Sequence, residues 1–214
     1  MFKKKPFFIV FEGVEGCGKS YQSTKLYNNL KKKKISSILT REPGGTRSAE
    51  MIRSLILKDY FNKNNKEKFD KYTDTLLYLA ARNEHVKNKI IPALKQRKVV
   101  ICDRFVDSTI AYQVYGKKVS LNFINDIHKI ILNGLKPNIT FILKVSPTTS
   151  KLRLSKRKIK NRYDKFDQSF YNKVQKSFLK IAKNKMNYYV FDSSKNDKVL
   201  ENKIINIVLK HIIK

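Results

Sequence analysis

Apolar and polar positions along the 214-residue chain follow two alternating periods. Phe7–Phe11 is five consecutive apolar residues, three of them aromatic, which suits a strand buried on both faces of a parallel sheet. Leu26 and Leu30 recur at i, i+4 and predict a helix running to about Lys33. Ile35–Leu39 predicts a short second strand, and Ile52, Leu55 and Ile56 a helix after it. Asp59 to Asp70 is polar, lysine-rich and without period, so a surface loop is expected there. Asp74–Leu94 carries a long helical pattern with an apolar face of Leu76, Leu77, Leu79 and Ala80, ended or bent at Pro92. Lys98–Cys102 predicts a third strand, Leu121–Leu132 an amphipathic helix closed by Gly134 and Pro137, and Ile139–Val145 a fourth strand. Helices follow Pro147 and cover Phe170–Ala182, Tyr188–Phe191 predicts a fifth strand, and Val199–Ile213 a closing helix. Strands alternating with helices predict an α/β fold. The expected form is a doubly wound sheet of five parallel strands with helices on both faces, in one domain spanning residues 1–214.

Between the first strand and its helix stands Gly13-Val14-Glu15-Gly16-Cys17-Gly18-Lys19-Ser20, the pattern G-x-x-x-x-G-K-[ST] of a P-loop. Its glycines let backbone N–H groups close round a polyphosphate, and the helix N-terminus adds partial positive charge there. Lys19 would reach the β and γ phosphates as a mobile point charge, and Ser20 would offer its hydroxyl to Mg²⁺. A glycine-rich turn before a helix would not need Lys and Ser at those two places. Downstream, Asp103-Arg104 closes the third strand, where a metal-directed carboxylate stands in P-loop proteins and where a guanidinium can clamp a phosphate bidentately. Arg41, Glu42 and Pro43 stand at the carboxyl end of the second strand, where open α/β sheets place ligands. Tyr78 and Arg82 share a helix face at i, i+4, as do Ser108 and Tyr112. Spacing alone favours Tyr78 as core and Arg82 as surface. Ser108, Thr109, Tyr112 and Gln113 could line a nucleobase pocket or only cap and solvate their helix. His128 reads as a surface or core residue rather than a ligand.

Charge adds a second question. Lys and Arg number 47 against 17 Asp and Glu, a formal net charge of +30. Such a balance suits nucleic-acid binding. The lysines are spread along the whole chain rather than gathered in an arm or repeat, so a solvated face is expected and no specific nucleic acid. One cluster stands out: Arg153 and Arg157 at i, i+4, with Lys156, Lys158, Lys160 and Arg162, reads as a solvated face or as a lid over residues 153–165 closing on ATP. Two cysteines, Cys17 and Cys102, make neither a disulfide framework nor a tetrahedral zinc site. No run of 18 apolar residues occurs, and the basic, apolar start is interrupted too early for a signal peptide, so a cytoplasmic protein without a membrane partner is expected.

In combination these motifs resemble thymidylate kinases (dTMP kinases) of the bacterial type. The resemblance rests on Phe11–Ser20, Arg41-Glu42-Pro43-Gly44-Gly45-Thr46, Tyr78-Leu79-Ala80-Ala81-Arg82, Asp103-Arg104 with Ser108-Thr109, and Ala111-Tyr112-Gln113. It implies transfer of the ATP γ-phosphoryl group to dTMP with Mg²⁺, held by Ser20 and Asp103, by a homodimer. It also implies that residues 13–20 hold the ATP phosphates and that Glu12 sits near them and the metal. Glu15 would bind the sugar 3′-hydroxyl, Tyr78 stack on thymine and Arg82 donate to its O4. Thr109 and Gln113 would lie against the base, Tyr112 against the sugar, and Arg104 grip the dTMP phosphate. Arg41 and Pro43 would shape the acceptor site, and the Glu42–Pro43 bond would be cis. Some members carry a catalytic arginine directly after the acidic P-loop residue. Gly16 stands there in this chain, which leaves Lys19, Mg²⁺ and the lid residues Arg153, Arg157 and Arg162 to meet the charge on the transferring group. Tyr21, where Thr or Ser usually follows, and Asn161, where Asp usually precedes the arginine, depart from the pattern. The nearest alternative is a kinase for another nucleoside monophosphate. A P-loop nucleic-acid-binding protein is the alternative from another class.

Overall fold

We describe the structure, a computed structural model, over residues 5–57, 68–156, 167–195 and 197–212. Five parallel strands run in the order β2-β3-β1-β4-β5: β1 (Phe7–Glu12), β2 (Ser37–Arg41), β3 (Val99–Asp103), β4 (Ile139–Lys144) and β5 (Tyr188–Asp192). The apolar run of β1 is explained by its central place. Ile9 and Phe11 face one core with Leu26, Leu30, Phe141, Val174 and Phe178. Phe8 and Val10 face the opposite one with Val86, Ile90, Val100 and Phe105. Each such fully buried side chain contributes roughly 1.5–3 kcal/mol. Period-2 alternation therefore buries both faces, and no polar position is tolerated until Glu12.

Helices α1 (Lys19–Lys32), α2 (Arg47–Leu57), α3 (Lys71–His85) and α4 (Ile91–Lys95) are followed by α5 (Val106–Thr109), α6 (Leu121–Leu132), α7 (Pro147–Ser155), α8 (Gln168–Ala182) and α9 (Lys198–Ile212). The caps are chemical. Asp70, Ser120, Ser146 and Asp167 each accept a backbone N–H of the helix they precede.

Two expectations shift. The second strand starts at Ser37, not Ile35, because the Ile35 N–H donates to the Leu30 carbonyl and finishes the turn that ends α1. The helix expected over Asp74–Leu94 starts at Lys71, and Pro92 does not stop it. A π turn over Val86–Ile90 widens the ladder just before α4, so a residue without an N–H fits at the start of the next helical segment. A second π turn covers Ile110–Gly116. Most of the loop expected over Asp59–Asp70 and all but the start of the lid, including Arg157 and Arg162, lie outside the described residues.

Register fixes where a ligand can bind. Arg41 and Phe11 both pair with Asp103, so β1, β2 and β3 end at one level. The Glu42 N–H donates to the Asp103 carbonyl and the Arg104 N–H to the Phe11 carbonyl, both at 2.9 Å. Glu42, Arg104 and Gly13 consequently form one rim at the carboxyl edge of the sheet.

Candidate active site

The P-loop is shaped by backbone that only glycine fits. Gly13 has φ +140°, and a Cβ there would lie 2.3 Å from the Leu143 carbonyl oxygen. Gly16 has φ +72°, and a Cβ would meet the Ser150 carbonyl at 2.9 Å. With α7 seated this way the loop has no room for a side chain at position 16, so an arginine there is excluded on steric grounds. Arg153 stands in its neighbourhood instead, donating to the Gly16 carbonyl at 3.0 Å and to the carbonyls of Ser193 and Ser194. Lys19 is folded against the loop, with Nζ donating to the carbonyls of Gly13 (3.0 Å) and Val14 (2.8 Å). Ser20 Oγ donates to Asp103 Oδ2 at 2.5 Å, bringing two hard oxygen ligands together. Cys17 and Val14 are buried supports of the loop.

One cleft of about 490 Å³ runs from Lys19, Ser20 and Asp103 at one end to Tyr78, Arg82 and Gln113 at the other. Glu15, Gly16, Gly18, Arg41, Pro43, Ser108, Thr109, Tyr112 and Arg153 also line it. Arg104 stands midway. Its Nη1 donates to the Gly13 carbonyl and Ser108 Oγ, each at 3.0 Å, and its Nη2 to Glu15 Oε1 at 2.8 Å. Tyr112 donates to the other Glu15 oxygen. Burial raises the Glu15 pKa, but Arg104, then Lys19 and the Tyr112 hydrogen bond, outweigh it and hold it below the usual carboxylate value.

At the far end Arg82 is 2% exposed, which corrects the surface position that spacing favoured. Nε donates to Glu42 Oε2 at 2.7 Å, Nη2 to the Phe105 carbonyl at 2.8 Å, and Nη1 to Thr109 Oγ1 and His128 Nε2, each at 2.8 Å. The other Glu42 oxygen accepts from His85 Nδ1 at 3.0 Å, and His85 Nε2 lies 2.7 Å from Thr40 Oγ1. Burial works against the Glu42 charge, yet Arg82 and His85 keep its pKa low. Beside this group the buried Gln113 amide nitrogen finds no acceptor among the described residues. An orphan donor on a cleft wall is a place for a ligand's oxygen. The Glu42–Pro43 bond is cis, as the resemblance implied.

Glu12 corrects a further expectation. It is fully buried and lies behind the cleft, accepting from the N–H groups of Phe105 (2.8 Å) and Ser108 (3.1 Å) and from Ser108 Oγ (2.5 Å). At the last position of β1 its side chain turns to the face that carries α5, so it shapes the turn behind Arg104 rather than meeting phosphate or metal. Burial first, then the charge of Asp107, pushes its pKa up to about 8. Arg53 was not foreseen at all. It lines the cleft and donates to the Pro43 carbonyl at 2.6 Å, but in sequence it is one arginine among many in a basic chain.

A P-loop and the polar group around Arg82 in one cleft match the kinase family named above. The thymidylate kinase family model matches residues 11–204. This chain belongs to the thymidylate kinase family. It is 44% identical over 205 residues to the thymidylate kinase of Wolbachia pipientis wMel, covering 93% of this chain and 98% of that protein. It is 46% identical over 179 residues to that of the Wolbachia of Brugia malayi, covering 83% and 82%. The crystal structure of thymidylate kinase from Ehrlichia chaffeensis superposes with a TM-score of 0.73 at 32% identity, covering 95% of this chain and 98% of that one. The family assignment makes the protein a nucleoside monophosphate kinase, a phosphotransferase. No helix among the described residues is long and apolar enough to cross a membrane.

Proposed function

We propose that this protein transfers the γ-phosphoryl group of ATP to dTMP, giving ADP and dTDP for dTTP synthesis. The observation that carries the reading is one cleft joining a P-loop to the polar group around Arg82, with Arg104 between them. The ATP phosphates lie along residues 13–20, with Lys19 turning from the Gly13 and Val14 carbonyls to meet them. Ser20 and Asp103 would hold Mg²⁺, for which their adjacent oxygens are the right donors. When bound, the ion neutralises charge building up between the β and γ phosphates. Thymine lies at the far end, stacked on Tyr78, with its oxygens toward Arg82, Thr109 and the free donor of Gln113. Arg104 takes the dTMP phosphate, and Glu15 and Tyr112 take the sugar. An oxygen of that phosphate attacks the γ-phosphorus in line, and the bond to the ADP oxygen breaks with its electron pair. The attacking oxygen is already anionic, so no strong base is needed, and positioning and charge stabilisation supply the rate.

The lid arginines Arg157 and Arg162 complete the charge shell in this reading, with Arg153 at the base of the lid. A cytoplasmic homodimer is proposed, supported by the exposed apolar side chains Met51 and Leu55 on α2 and Leu76 on α3. It should elute from gel filtration at the mass of two chains. The substrate test is a coupled assay with dTMP, dUMP, CMP and GMP. dTMP should turn over fastest, and faster turnover of CMP or GMP would overturn the assignment in favour of another nucleoside monophosphate.

A further inference from the structure

We propose that His128 is a positioning residue for the base end of the cleft, holding the Arg82 guanidinium in the orientation from which it meets the ligand. The inference rests on the reading that Arg82 faces the acceptor base. His128 does not line the cleft itself. It reaches Arg82 from α6.

The chemistry of the contact is decided by the donor. A guanidinium has N–H groups and no acceptor, so a ring nitrogen 2.8 Å from Arg82 Nη1 must present a lone pair. His128 is therefore neutral, with its proton on Nδ1. Burial, and then the charge of Arg82, push its pKa down to about 3, so the acceptor persists at any working pH. The remaining partners come from other parts of the chain. Glu42 follows β2, the Phe105 carbonyl follows β3, and Thr109 ends α5. All three nitrogens of Arg82 are thus engaged by protein before any ligand arrives. A base oxygen can then share a hydrogen but cannot reorient the group. Without His128, one buried Nη1 hydrogen loses its acceptor, and Thr109 Oγ1 alone fixes that side.

Three substitutions test this. Gln at position 128 can place its amide oxygen where Nε2 stands, while Asn reaches only the place of Nδ1. With dTMP binding read by calorimetry, H128A and H128N should weaken affinity by roughly tenfold or more, the size of a hydrogen bond to a charged group. KM for ATP should stay within about twofold, and H128Q should restore most of the dTMP affinity. Unchanged dTMP affinity in folded H128A would overturn the proposal. So would KM for ATP rising in step with KM for dTMP, or H128Q binding no better than H128N. If H128A does not fold, the Gln-against-Asn contrast decides, since both keep a polar side chain. ¹⁵N shifts of the wild type should show the Nδ1–H tautomer, and an imidazolium at pH 6 would overturn the assignment. Failure of the wild type to bind dTMP overturns the reading of the acceptor site itself, and it is seen before any variant is made.

Discussion

Arg82 and Arg104 stand in the same cleft and are held in contrasting ways. Arg82 pairs with Glu42 where both side chains are under 5% exposed, and three further acceptors complete its surroundings. Arg104 pairs with Glu15 where the side chains are 16% and 12% exposed, and its Nε carries no hydrogen bond among the described residues. The difference follows from position in the fold. Arg82 lies on a helix packed on its neighbours, where any unpaired charge is costly, so the protein supplies every partner. Arg104 lies on the strand-end rim with φ +73°, its side chain partly exposed, where an arriving phosphate can exchange with a carboxylate. The Arg82 end of the cleft is a fixed frame, and the stretch around Arg104 is a set of charges able to change partners.

Three experiments break or sharpen that contrast, from the largest expected effect to the smallest. Arg82→Met should destabilise the fold by about 3–5 kcal/mol, because Glu42 is left buried with only His85. Urea denaturation measures it, and a loss under about 1 kcal/mol would show the frame to be dispensable. Arg104→Met should instead spare stability and lower kcat/KM by roughly 10²–10³, about 2.7–4 kcal/mol of transition-state stabilisation. Steady-state kinetics beside a melting curve separate the two effects, and equal losses in both variants would erase the distinction.

The third experiment uses Glu12, which backs Arg104 through Ser108. Its folded pKa is raised from 4.5 to about 8, so the folded protein keeps a proton that the unfolded chain releases. Stability from this group is full below about pH 4.5 and is lost as pH climbs towards 8, at up to about 1.4 kcal/mol per unit. Asp107, also raised by burial, acts in the same direction. Glu12→Gln should flatten the stability curve between pH 5 and 8 relative to wild type. Parallel curves would place the proton elsewhere. Glu15 and Glu42, whose pKa values are lowered, contribute the opposite slope at acid pH and leave this difference untouched.

Much of the frame was legible in the residues. The five strands and their order along the chain follow from apolar runs, and the P-loop from eight residues in a row, because these features are local. Element ends were read less well. Ile35 looked like strand but finishes a helix turn, and Pro92 looked like a stop but sits after a π turn that absorbs it. Both are settled by backbone hydrogen bonds that carry no side-chain signature. Arg53 stayed invisible among 47 basic residues until its helix placed it over Pro43.

The sequence by itself determined the α/β class, the phosphate loop, and the motif set that marks the thymidylate kinase family, since each is written in residue type and spacing. Only the tertiary structure decided which charges are paired. Spacing made Arg82 a surface residue, the family resemblance set Glu12 by the phosphates, and His128 read as surface or core. The register of three strands buried Arg82 and Glu12, and the docking of α6 on α3 set His128 in the core against Arg82. The reason is that burial and pairing are properties of residues brought together from positions 12, 42, 82, 108 and 128, and no local pattern encodes that meeting.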